Sequence, residues 1–419
     1  MIIPFVFNLS TYSETAYAWF FFKSVDMAKR HKWPVIAQEI YLDTSLKDFI
    51  RNGQRAAFDK AFIDEHFWYE VPKSRDMRSF GRYPIKNEVI ERLLSDTGSY
   101  NDASKLILSQ PYEPMVDMLC EYIEDIRKKY SEPIEAFCTL CHNPSLSAAA
   151  QKYGIPVVHY EMGPFREPIY NKTAYFDLKS TNLGDTVKTR YAKFLSELKG
   201  DKRLMSGREI IALMLRRENL GLLEKFKIKP TIKCGVATGY AITELFLAQT
   251  GYNDSELLFR VEKTYGKENM SVRLHPADPY GARYPKYGSV YDLKCHSTID
   301  FIMSCEEIFS IGSNVCIEAM FWGRKTHVIV KGPAYWGAVN SVEEKGKLTD
   351  MEYLNFFAFN YLTPFKFMMD PEYIRWRLTD PTEKEIFEKH TSVYLENEGL
   401  PADTLSMKPK ERYKIISGR

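Results

Sequence analysis

Short apolar runs alternate along this chain with longer segments in which apolar residues recur every three or four positions. The short runs predict buried strands, and the longer segments predict amphipathic helices. Alternation of this kind is typical of βαβ units in a parallel sheet. The predicted strands are 1–8, 33–42, 134–140, 156–163, 230–238, 270–276, 307–312 and 325–332.

The runs fall into two groups, which predict an α/β chain with two Rossmann-like domains. We place the first domain at 1–205, with a polar, irregular insertion at about 60–110, and the second at 206–345. Aromatic and helical patterning in 346–419 predicts a helical tail that packs back on the N-terminal domain. Neither group carries G-x-G-x-x-G or G-x-x-x-x-G-K-[ST] after a strand, so NAD binding and a P-loop NTPase have little support.

Composition narrows the class of protein. The 419 residues, 45% of them hydrophobic, are enough for roughly two or three domains. The 57 basic residues nearly balance the 55 acidic ones, so the net charge of +2 provides no general reason to bind nucleic acid. Seven cysteines form an odd, sparse set that suits a reducing compartment. With neither a signal-peptide pattern nor an apolar run of about 18 residues, the sequence predicts a soluble cytoplasmic protein.

The stretch CTLCH has the Cys-x-x-Cys-His spacing of c-type haem attachment, which is also half of a zinc site. Haem attachment needs an exported chain, and a zinc site needs further ligands at a recognisable spacing, which do not follow. In the structural alternative, Cys138 is a buried strand residue and Cys141 lies in a turn before a helix that starts at Asn143 and Pro144. We therefore expect no metal on Cys138, Cys141 or His142.

Residues at strand ends are candidates for function, because Rossmann-like sheets bind ligands at the carboxyl ends of their strands. His159 and Glu161 end one predicted strand, and Arg166 follows after a Gly-Pro turn. A carboxylate there, near a His and an Arg, predicts a general acid, a general base or a nucleophile. We assign all three residues to a catalytic group, in which His159 acts directly or orients Glu161. The structural alternative is a Glu161–Arg166 ion pair that holds a loop.

Two later strands end in residue types that bind nucleotides. Arg273 and His275 end one strand, where a His can donate to a phosphate oxygen. Ser313 and Asn314 begin a helix after another strand, and the N–H groups and macrodipole of a helix N-terminus bind phosphate. Glu318, on the same helix, would accept from ribose hydroxyls or a base. The structural alternative is a plain helix cap, a surface Glu318 and a satisfied structural His275.

Several blocks resemble the β-Kdo glycosyltransferases of glycosyltransferase family 99 and, more distantly, the capsule Kdo transferases. The resemblance is spread over about 130–340, and it depends on the order and spacing of blocks that are each weak alone. The blocks are NPSLSAAAQKYGIPVVH, HYEMGPFREP, LHP, SNVCIEAMFWG and GPAYWG.

The resemblance implies a GT-B fold, in which two Rossmann-like domains face a cleft. It also implies transfer of Kdo or a related nonulosonic acid from a CMP donor, with retention, into lipopolysaccharide O-antigen or capsule. Glu161 matches the active-site Glu of the family, His275 matches the His on the CMP phosphate, and Ser313 with Glu318 matches the nucleotide-binding turn and helix. The partners would be the nucleotide-sugar donor and a glycan acceptor, with peripheral contact to the inner membrane or to other glycan-assembly enzymes. The chain has no D-x-D triplet, which fits a donor that needs no metal, and we expect no cofactor.

One block departs from the family pattern. Where retaining members carry an acidic stretch with the nucleophilic Asp, residues 234–242 read CGVATGYAI, and Glu244 is a poor substitute. Either Glu161 takes a larger share of the catalysis, or the chemistry differs (inversion, or another nonulosonic acid), or activity is lost. Two further hypotheses therefore stay open: a non-catalytic nucleotide- or sugar-binding protein, and a UDP- or GDP-hexose transferase. Acceptor contacts would come from loops at 9–16 and 60–110.

Overall fold

A computed structural model describes most of the chain, with several internal gaps. Predictions that fall wholly or partly in the gaps concern Cys141, the loop at 9–16, residues 60–75 of the insertion and residues 240–244. The described residues are 1–7, 9, 14–39, 42, 76–140, 142–181, 186–239, 252–275, 284–292, 295 and 297–418, without the side chains of 14–19.

The strands of the described ranges form two sheets. They are β1 Ile2–Val6, β2 Val35–Gln38, β3 Arg82–Ile85, β4 Ala136–Leu140, β5 Val157–Met162, β6 Thr173–Asp177, β7 Ile232–Ala237, β8 Met270–Arg273, β9 Cys305–Ser310, β10 Lys325–Val328 and β11 Leu362–Pro364. The larger sheet has the order β11-β6-β5-β4-β1-β2-β3, and the smaller has the order β10-β9-β7-β8. Strands β1 to β5 pair in parallel, as do β7 to β10, which confirms an α/β chain with two Rossmann-like sheets.

The two central strands of the larger sheet, β1 and β4, are buried along their whole length, which explains their unbroken apolar runs in the sequence. Every residue of β1 and of β4 is buried. A parallel sheet is covered on both faces, so its strands are apolar at every position instead of at alternate positions. The register places Ile3 beside Phe137 and Phe5 beside Thr139.

Each sheet has one place where the chain reverses the direction in which it adds strands. In the larger sheet the chain lays down β1, β2 and β3 outward and then returns to place β4 on the other side of β1. In the smaller sheet it lays down β7 and β8 and then places β9 on the other side of β7. Open α/β sheets bind ligands at such switch points, outside the carboxyl ends of the strands.

Helices follow the strands as the periodicity predicts. They are α1 Glu14–His31, α2 Asn87–Thr97, α3 Tyr100–Ser109, α4 Glu113–Lys129, α5 Pro144–Lys152, α6 Val187–Leu198, α7 Gly207–Met214, α8 Asp254–Tyr265, α9 Thr298–Ser304, α10 Asn314–Phe321, α11 Met351–Phe356, α12 Pro371–Leu378, α13 Glu383–Asn397 and α14 Pro409–Ser417. The start of α5 is confirmed in detail: the side chain of Asn143 accepts from the N–H of Leu146 at 2.8 Å, and Pro144 is the first helical residue. None of the helices in the described part of the chain is long and apolar enough to cross a bilayer.

The predicted insertion at 60–110 is regular where the structure describes it. Strand β3 pairs in parallel with β2 at the edge of the larger sheet, and α2 and α3 follow it. Pro84 lies within β3, and an edge strand tolerates a proline because one side needs no ladder partner. The expectation of irregular structure there is wrong because this four-residue strand has one exposed position and a proline, which obscure its pattern.

The aromatic tail is helical for most of its length but also contributes a strand. After α11 the chain forms a π-helical turn, Phe357–Tyr361, and then β11, which runs antiparallel to β6. Leu362 pairs with Tyr175. The prediction of a wholly helical tail therefore misses β11.

The chain divides into two compact units. The first contains Met1–Glu161, Asp177–Ser180 and Phe367–Asp380. The second contains Met162–Phe176, Thr181–Lys366 and Pro381–Arg419.

Candidate functional site

The switch point of the smaller sheet lies in the second unit, between the carboxyl ends of β7 and β9. Thr238 follows β7 and is buried. Its hydroxyl accepts from the backbone N–H of His275 at 3.2 Å and donates to the carbonyl of Arg273 at 3.3 Å. Thr238 therefore fixes the loop after β8, and with it the backbone of the half-buried His275.

Arg273 already has a carboxylate partner. Its guanidinium donates to Oδ2 of Asp292 at 2.6 Å, and the Asp292 side chain is almost fully buried. The backbone N–H of Asp292 donates in turn to the carbonyl of Val272 at 2.8 Å, so the pair is tied to β8. The sequence predicted that Arg273 binds the nucleotide. The structure holds its guanidinium in place, but in an ion pair with Asp292, which neutralises part of its charge.

The loop after β9 leads directly into α10 and is well ordered by local bonds. The hydroxyl of Ser313 accepts from the N–H of Val315 at 3.3 Å, and its own N–H donates to Oγ of Ser310 at 2.9 Å. The amide oxygen of Asn314 accepts from the hydroxyl of Tyr175 at 3.0 Å. The start of α10 is thus fixed at the carboxyl end of β9, where the sequence predicted phosphate binding.

Glu318 lies one turn further along α10 and carries an unusual carboxyl. Oε2 accepts from the hydroxyl of Tyr170 at 3.0 Å, and the oxygen of Tyr170 accepts from Nε1 of Trp322 at 2.9 Å. Burial raises the pKa of the Glu318 carboxyl to about 7, although the Tyr170 bond and the charges of Arg166 and Arg273 act in the opposite direction. The Glu318 carboxyl therefore keeps its proton to a higher pH than an ordinary glutamate does.

Arg166 is held in the turn that follows β5. Its Nε donates to the carbonyl of Gly163 at 2.9 Å, and this backbone acceptor holds the guanidinium in place. From this position the positive charge of Arg166 acts to lower the pKa of Glu318. The second unit therefore brings together Arg166, Arg273, Glu318 and the start of α10. Sequence reasoning missed Tyr170, although its place four residues after Arg166 in the same turn region was a usable signal.

The other candidate residues lie in the first unit, at the ends of β4 and β5. His159 is buried opposite Thr139, and its ring centroid lies 5.7 Å from that of His142. Burial, and next the ring of His142, lower the pKa of His159 to about 3, so the imidazole is neutral at neutral pH. Glu161 is partly exposed and is the second-last residue of β5. The side chains of His159 and Glu161 are two residues apart and share a strand face.

Cys138 is poorly suited to hold a metal. It is fully buried in β4, and burial raises the pKa of its thiol, whereas a metal binds the thiolate. The described ranges contain no group of three or more His, Cys, Asp or Glu side chains placed to bind an ion. Cys141 lies outside those ranges.

We expect the purified protein to contain no stoichiometric zinc at CTLCH. Elemental analysis by mass spectrometry of wild type and Cys138→Ser should show the same sub-stoichiometric metal content, since a buried neutral thiol does not ligate zinc. One equivalent of zinc in the wild type that is lost in Cys138→Ser would show that the stretch is a metal site.

The N-terminal part of the chain matches a known protein family. Residues 3–186 match the family model described as the Glycosyltransferase 99 family N-terminal domain, which confirms the resemblance for this domain. No curated protein sequence matches the chain significantly.

Solved structures give distant similarities. KpsC of Thermosulfurimonas dismutans, a β-Kdo 2,7 transferase, is 16% identical over 58% of this chain and 82% of its own, with a TM-score of 0.35. UDP-GlcNAc 2-epimerase from Neisseria meningitidis is 13% identical over 95% of this chain and 100% of its own, with a TM-score of 0.29. Os79 from O. sativa, in complex with UDP, is 9% identical over 100% of both chains, with a TM-score of 0.33.

Proposed function

We propose that the chain is a glycosyltransferase that moves a keto-acid sugar, Kdo or a related nonulosonic acid, from a CMP donor to a bacterial surface polysaccharide or lipopolysaccharide. The observation that carries the proposal is the strand–turn–helix of β9 and α10 at the switch point, with Ser313, Asn314 and Glu318 in fixed positions. The family match over residues 3–186 supports transfer of a sugar.

The donor nucleotide would bind in the second unit. The N-terminus of α10 offers the positive end of the helix dipole to an anion. In this structure the N–H of Val315 donates to the Ser313 hydroxyl and that of Cys316 to the Ser313 carbonyl, so a bound phosphate would have to replace the Ser313 cap to reach the first of these N–H groups.

His275 would donate to the phosphate. Arg273 would add positive charge, although its ion pair with Asp292 weakens this contribution. Glu318 would accept from ribose hydroxyls. We expect these groups to hold the donor phosphate without a bound metal.

The reaction needs one proton transfer and one bond exchange. The acceptor hydroxyl forms a bond to the anomeric carbon, the bond from that carbon to the phosphate oxygen breaks, and CMP leaves with the electron pair. Glu161 would either take the proton of the acceptor hydroxyl as a general base or, as the carboxylate, stabilise the electron-poor anomeric centre. The stereochemical outcome stays open, because residues 234–239 contain no carboxylate and residues 240–244 are outside the described part.

We expect CMP to bind in the presence of EDTA. Calorimetric titration of the purified protein with CMP, UDP and GDP should give the tightest binding for CMP, with no change on chelation, because the anion contacts would come from the start of α10 and from side chains and not from a metal. His275→Ala should weaken CMP binding. Tight UDP binding with none for CMP, or activity abolished by EDTA, would contradict the donor assignment and would favour the UDP-hexose alternative.

A non-catalytic nucleotide-binding protein is the second candidate. The observation that favours it is the end of β7, where Ala237, Thr238 and Gly239 stand in place of acidic residues. This candidate predicts CMP binding with no release of CMP from CMP-Kdo in the presence of any glycan acceptor. Turnover above the rate of the uncatalysed reaction would exclude it.

A further inference from the structure

We propose that Tyr170 is a positioning residue of the nucleotide site. Its hydroxyl holds the Glu318 carboxyl in the orientation in which that carboxyl contacts the ribose. The inference rests on the proposed function, because it assigns a role within the same nucleotide site. Neither Tyr170 nor Trp322 contacts the nucleotide in this proposal, and both act through Glu318.

The three side chains form a chain of hydrogen bonds with a fixed direction. An indole Nε1–H can only donate, so Trp322 occupies an acceptor site on the oxygen of Tyr170 at 2.9 Å. The Tyr170 proton is then free to point to Oε2 of Glu318 at 3.0 Å. Because the indole cannot accept, the Tyr170 proton cannot point to Trp322, and the Glu318 carboxylate is the acceptor that this chain of bonds offers to it.

Tyr170 is a rigid support. Its side chain is 2% exposed, and its ring packs edge-on against Phe165 at 5.1 Å. Its backbone N–H donates to the carbonyl of Arg166 at 2.9 Å, and its backbone forms a bridge with Leu215. Burial raises the pKa of the phenol far above neutrality, so the hydroxyl keeps its proton. A buried aromatic ring with two fixed backbone contacts leaves its hydroxyl little freedom.

Glu318 and Trp322 are placed to share one support. They are four residues apart along the chain, at α10 and its C-terminal cap, so their side chains lie on the same face of the helix. Tyr170 bonds to both, and it therefore connects the turn after β5 to this face. The contact ties the carboxyl to the rest of the second unit, whereas an unsupported Glu side chain would sample several rotamers.

The protonation state of Glu318 should respond to this support. The charged and titratable groups that act on the carboxyl are Tyr170, Arg166 and Arg273, and all three favour the carboxylate, whereas burial favours the acid and raises the pKa. Loss of the Tyr170 donor removes one of the groups that lower the pKa of Glu318. At neutral pH a larger share of the carboxyl is then protonated, and a protonated carboxyl is a weaker acceptor for ribose hydroxyls.

The first test uses the free protein and needs no ligand. The indole ¹H–¹⁵N resonance of Trp322, assigned with Trp322→Phe, should shift with pH with a midpoint near the Glu318 pKa of about 7, because its acceptor is bonded to Glu318. The shift should disappear in Glu318→Gln and in Tyr170→Phe. An indole resonance that does not titrate in the wild type, or that titrates unchanged in Tyr170→Phe, would overturn the proposal.

The second test measures CMP affinity from about pH 6.5 to 8.5 as a ratio to wild type at each pH, so that ionisation of CMP itself cancels. Tyr170→Phe should weaken CMP binding about tenfold near pH 7, the size expected for a lost hydrogen bond to a charged group. The loss should shrink toward the alkaline end of this range, where the carboxylate forms without help. The matched control is Tyr175→Phe, which removes a hydroxyl bonded to the neutral amide of Asn314, and its effect should not depend on pH.

Two further variants separate positioning from stability. Trp322→Phe keeps the Tyr170–Glu318 bond, so its CMP affinity should vary with pH as that of the wild type does. Tyr170→Phe/Trp322→Phe removes the indole N–H that the single variant leaves buried without an acceptor, and it should fold while still losing CMP affinity near pH 7. A pH-independent loss in both Tyr170 variants would mean that Tyr170 is only a packing residue. Absence of CMP binding in the wild type would refute the proposed function, while the indole titration would still decide whether Tyr170 controls Glu318.

Discussion

Replacing Glu161 with Gln should lower the turnover of keto-acid sugar transfer by about 10²–10⁴-fold, the usual contribution of a positioned acid or base. The amide keeps the shape of the side chain but cannot take a proton or carry the charge that stabilises an electron-poor anomeric centre. The measurement is CMP release from CMP-Kdo, with lipopolysaccharide or capsule glycan fragments as acceptors. CMP affinity, followed by calorimetry, should change by less than about threefold, since the nucleotide groups lie on other strands.

The matched variant is His275→Ala, which should reverse the pattern in part. It removes a group proposed to face the phosphate, so CMP affinity should fall more than it does in Glu161→Gln. Thermal melting of both variants provides the folding control. If Glu161→Gln keeps turnover within about threefold of wild type, or if the variant is unfolded, Glu161 is a structural residue and its catalytic assignment is wrong.

Arg412→Ala should lower the free energy of unfolding by about 3–5 kcal/mol, the cost of removing one partner of a buried ion pair. Arg412 is 1% exposed, and its Nε donates to Oε1 of Glu209 at 2.7 Å. Its other nitrogens donate to the backbone carbonyls of Lys202, Leu204 and Leu405. The substitution therefore leaves a buried carboxylate and several carbonyls without this donor. Urea denaturation followed by circular dichroism measures the change.

The control for Arg412 is an exposed pair of the same chemistry. Arg375 donates to Glu135 at 2.6 Å, but both side chains are partly in solvent. Arg375→Ala should cost no more than about 1 kcal/mol, because water replaces the lost partner. Equal losses in the two variants, or a loss below about 1 kcal/mol for Arg412→Ala, would show that burial does not set the strength of the Arg412–Glu209 pair.

The strands of the two sheets were largely predictable because burial on both faces leaves an unbroken apolar run. The run at 134–140 contains β4, and the run at 307–312 overlaps β9 with a shift of two residues. Strand β3 was not predictable in this way, because it is short, lies at an edge and contains Pro84. Strand β11 follows an aromatic helix directly, so periodicity alone does not mark where the helix ends.

The candidate site was predictable at its strand ends but not in its supports. Ser313 and Glu318 follow from a strand–turn–helix pattern that is local in sequence. Tyr170 meets Glu318 across 148 positions, and Asp292 meets Arg273 through a fold that no local pattern encodes. Partners of this kind depend on tertiary structure, and they decide whether a predicted charge is available to a ligand.

The contact between Arg412 and Glu209 also bears on the order in which the second unit can form during synthesis. The two residues are 203 positions apart, and β11 joins β6 across a similar distance. On the ribosome, α7 and β6 emerge long before the residues that complete their surroundings. Glu209 must therefore wait in water, or in a loosely packed intermediate, until Arg412 has been made. The second unit gains its final packing only after its last helices have been made, so before that stage a chaperone can bind apolar surface that is buried in the finished unit.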